Sequence, residues 1–167
     1  MNSGTLITTG PRPVIRFERL LPASIEDVWR KVTDPIEMRS WFPTRIEIDE
    51  WRVSAKLTHH FDGYDIEPLP GTVLEWQPPR RARLTWGDDT ITFKLTPAPD
   101  GGTVFVLSEE LSAAHAARNA AGWENCLDRL QFDREIESWK SRFDEYATSF
   151  EPVLGHQDGP PEEFNVS

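Results

Sequence analysis

Three side chains interrupt apolar patterns at points where a charge or a proton acceptor is costly. Arg19 shares a face with Ile15, Phe17 and Leu21. His59 falls in line with Val53, Ala55, Leu57 and Phe61, and Glu109 with Phe105, Leu107 and Leu111. A charge in an apolar interior needs a partner or solvent. Arg19 and Glu109 could pair with each other and give the interior a polar end. The plainer alternative is a strand irregularity that turns one of them outward. His59 could act as a general base, although a lone histidine on an apolar face is more often a satisfied core residue. His59, His60, Asp62 and Asp65 are metal-ligand types. Adjacent strand residues point to opposite faces, however, so the two histidines do not share an ion, and no metal or cofactor is expected. Cys126, the single cysteine, lies beside Trp123 and Leu127 and reads as a small core residue rather than a nucleophile. Asp100-Gly101-Gly102 is hairpin chemistry with no phosphate-binding logic. Arg80, Arg81 and Arg83 form a solvated basic spot. No residue is assigned a catalytic role.

The elements that must position these groups follow from periodicity. Val14 to Leu21 alternates as a strand. Ser24 with Asp27 is a variant capping box before the helical stripe Ile25, Val28, Trp29, Val32, and Asp34-Pro35 opens a second short helix to about Trp41. From Val53 onward the period is two. Val53 to Phe61, Thr72 to Trp76, Ala82 to Trp86, Thr90 to Thr96 and Phe105 to Leu111 are separated by turns at Asp62-Gly63, Pro78-Pro79, Gly87-Asp88-Asp89 and Asp100-Gly101-Gly102. Such a succession is an antiparallel meander whose apolar face needs a cover. The cover is Ala113 to Glu151, read as one helix of up to about 38 residues or roughly 57 Å. The expected organisation is a loose arm (1–13), a domain (14–131), a helical extension (132–151) and a disordered acidic tail (152–167).

The long helix carries two apolar stripes. Trp123, Leu127 and Leu130 form one. Phe132, Ile136, Trp139, Phe143, Tyr146 and Phe150 form another, on roughly the opposite side at about 100° per residue. A straight helix cannot press both onto one sheet. Three readings stand: a break near residue 131 with the second half folded back, an antiparallel homodimer seam through residues 132–150, or an anchor for a different partner.

The chain has 167 residues with 18 Lys plus Arg against 28 Asp plus Glu, a net charge of -10. That balance argues against nucleic acid and anionic membrane surfaces as partners. No apolar run is long enough to span a bilayer, and the first residues lack a secretory h-region, so a cytoplasmic protein is expected.

The order of several short stretches carries a resemblance. They are Phe17-Glu18-Arg19 to Leu21-Pro22-Ala23, Val28-Trp29, Thr33-Asp34-Pro35, Trp41-Phe42, Gly71 to Trp76, Pro78-Pro79-Arg80-Arg81, Leu84 to Trp86, Gly122-Trp123 and Cys126 to Leu130. Over about residues 14 to 131 the chain resembles the SRPBCC (START-like, helix-grip) superfamily, in the branch named for the heat-shock-protein-90 ATPase activator. The resemblance implies an α+β helix-grip fold, a curved antiparallel sheet wrapped around a long C-terminal helix with a cavity between them. It implies no shared catalytic motif. The branch name points to stress response.

On that fold the expected ligand-binding lining is Leu57, His59, Phe61, Leu74, Trp76, Trp86 and Phe93 from the sheet, with Arg19 and Glu109 as its polar groups. Trp41 and Phe42 join from the second short helix, and Trp123 and Leu127, with His115 or Asn119, from the long one. The preferred reading is a binding protein for a small apolar or aromatic ligand. Beside it stand a co-chaperone-like module with a chaperone partner, and a cyclase- or hydrolase-type enzyme using the cavity's polar groups.

Overall fold

A computed structural model describes residues 4–161. Its elements in chain order are β1 (Thr5–Ile7), β2 (Val14–Leu21), α1 (Ile25–Thr33), α2 (Pro35–Met38), β3 (Arg45–Ile48), β4 (Lys56–His60), β5 (Leu69–Gln77), β6 (Arg81–Trp86), β7 (Asp89–Pro97), β8 (Thr103–Glu110), α3 (Ala116–Phe132) and α4 (Trp139–Leu154). The strands form one antiparallel sheet in the order β1-β2-β8-β7-β6-β5-β4-β3. It curves around α3, the helix-grip arrangement expected.

Local chemistry sets the helix starts as anticipated. The Ser24 hydroxyl accepts from the Asp27 N–H, and Asp34 Oδ1 accepts from the Ile36 N–H. Ile15, Phe17, Leu57, Leu84, Ile91, Phe93, Phe105 and Leu107 point inward and are buried against Trp41, Leu111, Leu127 and the small residues Ala116, Ala117, Ala120 and Ala121 of α3. Alanines along that face let the helix sit close to the sheet, in a core packed like a crystal.

Four expectations need correction. The span 113–151 is not one helix. After Phe132, Asp133 adopts a left-handed conformation (φ 59), and its N–H bonds to the Arg129 carbonyl. Ser138 then caps α4 by accepting from the Ser141 N–H, and α4 folds back onto α3. The second stripe is therefore not left unpartnered: Tyr146 and Phe150 are buried, and Trp139 and Phe143 pack against the core, leaving Phe132 and Ile136 about half exposed.

The loose arm is also partly structured. Thr5–Ile7 pairs with Val14–Arg16 as a sheet-edge strand. The short strand Arg45–Ile48 lies where no period was read. At the other end, residues 155–158 are ordered by Gln157, which is buried; its Oε1 accepts from the Ala117 N–H at 2.8 Å and its Nε2 donates to the Ala113 carbonyl at 2.9 Å. That supplies a partner for one of the unpaired N–H groups at the start of α3. The end of the expected acidic tail, residues 162–167, lies outside the described residues.

Finally, a bulge between Val73 and Glu75 shifts the register of β5. Leu74 turns to solvent (40% exposed) while Val73 enters the core.

Candidate functional site

The polar groups on the inner face take partners other than those expected. β2 and β8 do pair, but Arg19 stands opposite Phe105 and Glu109 opposite Ile15. The expected Arg19–Glu109 ion pair does not form, because the register sets the two residues far apart along the strands. Arg19 turns instead to α3, where its Nη2 donates to Glu124 Oε2 at 2.6 Å and its Nη1 to Asp128 Oδ1 at 3.1 Å. Arg142 of α4 completes the group by donating to Glu124 at 2.8 Å and Asp128 at 2.7 Å. Glu124, Asp128 and Arg142 are buried. Two guanidiniums face two carboxylates, so the cluster is balanced. Tyr146 donates to Glu124 at 2.5 Å and the Gly4 N–H to the same carboxylate at 3.1 Å, so the cluster ties the N-terminal arm, the sheet and both helices together. Glu124 and Asp128, one helical turn apart, were the readable signal for it.

Glu109 lies at the other end of α3. Trp123 Nε1 donates to its Oε1 at 3.0 Å, and Asn119 Nδ2 donates at 3.2 Å. Its carboxyl also meets Asp89, at the start of β7. Asp89 accepts from Arg12 at 3.1 Å, so its charge is compensated from outside. Burial, above all, pushes the Glu109 carboxyl up to about 8; the neighbouring Asp89 works in the same direction, and the Trp123 and Asn119 donors oppose it. At neutral pH Glu109 therefore holds a proton.

This pair sits at the base of an open cleft of about 960 Å³ between one end of the sheet and the two C-terminal helices. Phe61, Tyr64 and Trp86 form one wall, with Trp86 meeting Phe61 edge-on at 5.8 Å. Gly122 and Trp123 of α3 form the floor. Trp139 and Phe143 of α4, stacked at 5.0 Å, form the other wall. His115, Arg118 and Lys140 stand around it. Six aromatic side chains line it together with Pro43, Ile66, Pro160 and Pro161, so its surface is mainly apolar, as in small-molecule sites. A second hollow of about 400 Å³ lies on the outer face of the sheet among Arg16, Arg81, Arg83 and Lys94, and has no aromatic lining.

Of the expected lining, Phe61, Trp86, Glu109 and Trp123 reach the cleft, as do both His115 and Asn119. Trp41, Phe42, Leu57, Phe93 and Leu127 are core residues behind it. Trp76 packs under α1, 4.8 Å from Trp51 and 5.0 Å from Trp29. Leu74 is on the outside, and Arg19 belongs to the ion cluster. Trp139 and Phe143 of the second stripe line the cleft. Asp89 was read only as a turn residue.

His59 is fully buried. Nε2 lies 3.0 Å from the Thr85 carbonyl and Nδ1 3.0 Å from the Thr44 hydroxyl, which fits a ring that donates from Nε2 and accepts at Nδ1. Burial lowers its pKa, so it stays neutral behind Trp86. His60 lies on the opposite face, 3.3 Å from Glu47. Burial also raises the Cys126 thiol to about 12, which leaves it without thiolate character.

A curved antiparallel sheet gripping a helix is the helix-grip arrangement of the SRPBCC class. The family model described as activator of Hsp90 ATPase homolog 1-like protein matches residues 22–132, and the chain belongs to that family. Solved structures share the fold. The conserved protein of unknown function EF2215 from Enterococcus faecalis is 19% identical, with 90% of this chain and 91% of that one covered and a TM-score of 0.76. CalU16 from Micromonospora echinospora is 24% identical (89% and 94% covered, TM-score 0.69). Protein CV1439 from Chromobacterium violaceum is 26% identical (74% and 98% covered, TM-score 0.56). Comparison with curated proteins gives no match.

Proposed function

We propose that this protein binds a small, largely aromatic or apolar molecule in the cleft between Trp86, Trp123 and Trp139. The observation that carries the reading is the cleft itself, about 960 Å³ and lined by aromatic side chains from sheet and helices, with buried Glu109 and part-exposed Asp89 at its base. Apolar burial of about 25 cal/mol per Å² makes such walls sufficient for useful affinity.

Gly122 supplies the test. A Cβ there meets only Trp139 Nε1, at 4.0 Å, so Gly122→Phe fills the cleft without colliding with backbone. Nile red is expected to gain fluorescence with the wild-type protein and to lose most of that gain with the variant at unchanged melting temperature. Equal signals from both proteins count against the reading.

The family description also supports a partner-binding reading. A chaperone partner or a second copy would find only Phe132 and Ile136 of the second stripe exposed, so the cleft is the better-supported site. Gel filtration of Phe132→Glu/Ile136→Glu beside wild type tests that alternative: a fall in assembly mass favours it.

A further inference from the structure

The cleft combines aromatic side chains with two neighbouring carboxyls, Asp89 and Glu109. Ring faces and carboxylates are the two groups that recognise an organic ammonium. Asp89 is the more accessible acid, with 17% of its side chain exposed, and Glu109 lies behind it, held by Trp123 and Asn119. β8 contributes Glu109 to this base and β7 Asp89, while α3 contributes the neutral Asn119 and Trp123. Arg12 reaches Asp89 from the chain before β2.

The cations around the cleft have their own engagements. Lys140 pairs with Asp144 at 2.8 Å, His115 lies 3.6 Å from Asp158, and Arg118 donates to the Gly159 carbonyl at 3.2 Å. Arg12 balances one carboxylate only, so a second positive charge at the base would let both acids ionise. The net charge of -10 favours the approach of a cation over an anion.

We infer that the ligand of this cleft is an organic cation, an amine on an aromatic or apolar body, whose ammonium sits against the Asp89 and Glu109 carboxyls. The inference rests on the small-molecule reading above. Charge balances: the ammonium enters, one proton leaves Glu109 to solvent, and the site ends with two carboxylates, Arg12 and the bound cation. An oxyanion ligand is disfavoured by the same carboxylates.

Calorimetric titration with tryptamine and with its neutral analogue tryptophol separates the two levels of the reading. Tryptamine is expected to bind more tightly than tryptophol and to release close to one proton at neutral pH, read from buffers of different ionisation enthalpy. Because Glu109 titrates at about 8, tryptamine affinity should rise by about tenfold per pH unit from about pH 6 to about pH 8. In Glu109→Gln, whose amide keeps the Trp123 bond, that slope and the proton release should vanish. If tryptophol binds as well as tryptamine, or tryptamine binds with no proton released, the inference is overturned while the cleft reading survives. If neither binds, both fail.

Discussion

Trp123 of α3 donates its indole N–H to Glu109 of β8 at 3.0 Å, and with the Asn119 bond to the same carboxyl it joins the helix to the sheet where the cleft begins. The same contact presents the indole face to the cleft and keeps a buried acid in place. An indole can hold a carboxyl whether or not it is ionised, so the bond survives a change of protonation.

The raised pKa of Glu109 makes folding pH-dependent. Its folded value is about 8 against an ordinary 4.5, so between those values the folded chain holds a proton that the unfolded chain has lost. Stability therefore falls as pH rises through this window, by at most about 1.4 kcal/mol per pH unit, and this contribution is flat above it. Urea unfolding at several pH values should show that slope in wild type and a weaker one in Glu109→Gln. Parallel profiles for the two proteins contradict the assignment.

Arg142 touches both buried carboxylates of the ion cluster. Arg142→Met should cost about 3–5 kcal/mol, because Glu124 and Asp128 lose a shared counter-charge away from water. Arg19→Met should cost less, since its side chain is 11% exposed and solvent can enter. Combining Arg142→Met with Glu124→Gln should cost less than the sum of the single losses. Additive losses measured by denaturation would sink the account of a coupled cluster.

Gly4 lies too close to its neighbours for any side chain. A Cβ there would stand 2.5 Å from the Tyr146 hydroxyl and 2.6 Å from Phe17. Gly4→Ala should therefore cost about 1–3 kcal/mol. The loss should be localised: amide exchange of Thr5–Ile7 should rise well before that of β8. Unchanged protection in β1 contradicts the contact.

Cys126 should resist thiol reagents in the native state. With its pKa near 12 and its side chain buried, labelling by a disulfide reagent should wait for unfolding and track denaturant concentration. Prompt labelling of folded protein would show an accessible thiolate instead.

The meander was legible because its strands are long enough for alternation to show, from Ala82-Leu84-Trp86 to Phe105-Leu107. Thr5–Ile7 and Arg45–Ile48 are too short for a period to emerge. Leu74 could not be placed from pattern, since a bulge shifts side chains by one position while the composition of β5 stays the same. Arg19 and Glu109 were visible as inward polar groups, but their partners depend on strand register and on α4 folding back. That turn is made by Asp133 in a left-handed conformation, without a glycine to announce it. The phase change of the second stripe near Phe132 was its trace in the sequence. Trp139 and Phe143 were readable as apolar, whereas the surface they would meet was not.

The seven tryptophans of the chain report directly on the cleft. Each gives its own indole N–H resonance in a proton–nitrogen correlation spectrum, assignable by single Trp→Phe replacements. Titration with a mixture of small aromatic amines and alcohols should shift the signals of Trp86, Trp123 and Trp139, which line the cleft. Trp41, whose indole donates to the Lys31 carbonyl inside the core, should stay still, as should the Trp29, Trp51 and Trp76 group under α1. Shifts confined to that second group, or no shift from any compound, would contradict the account.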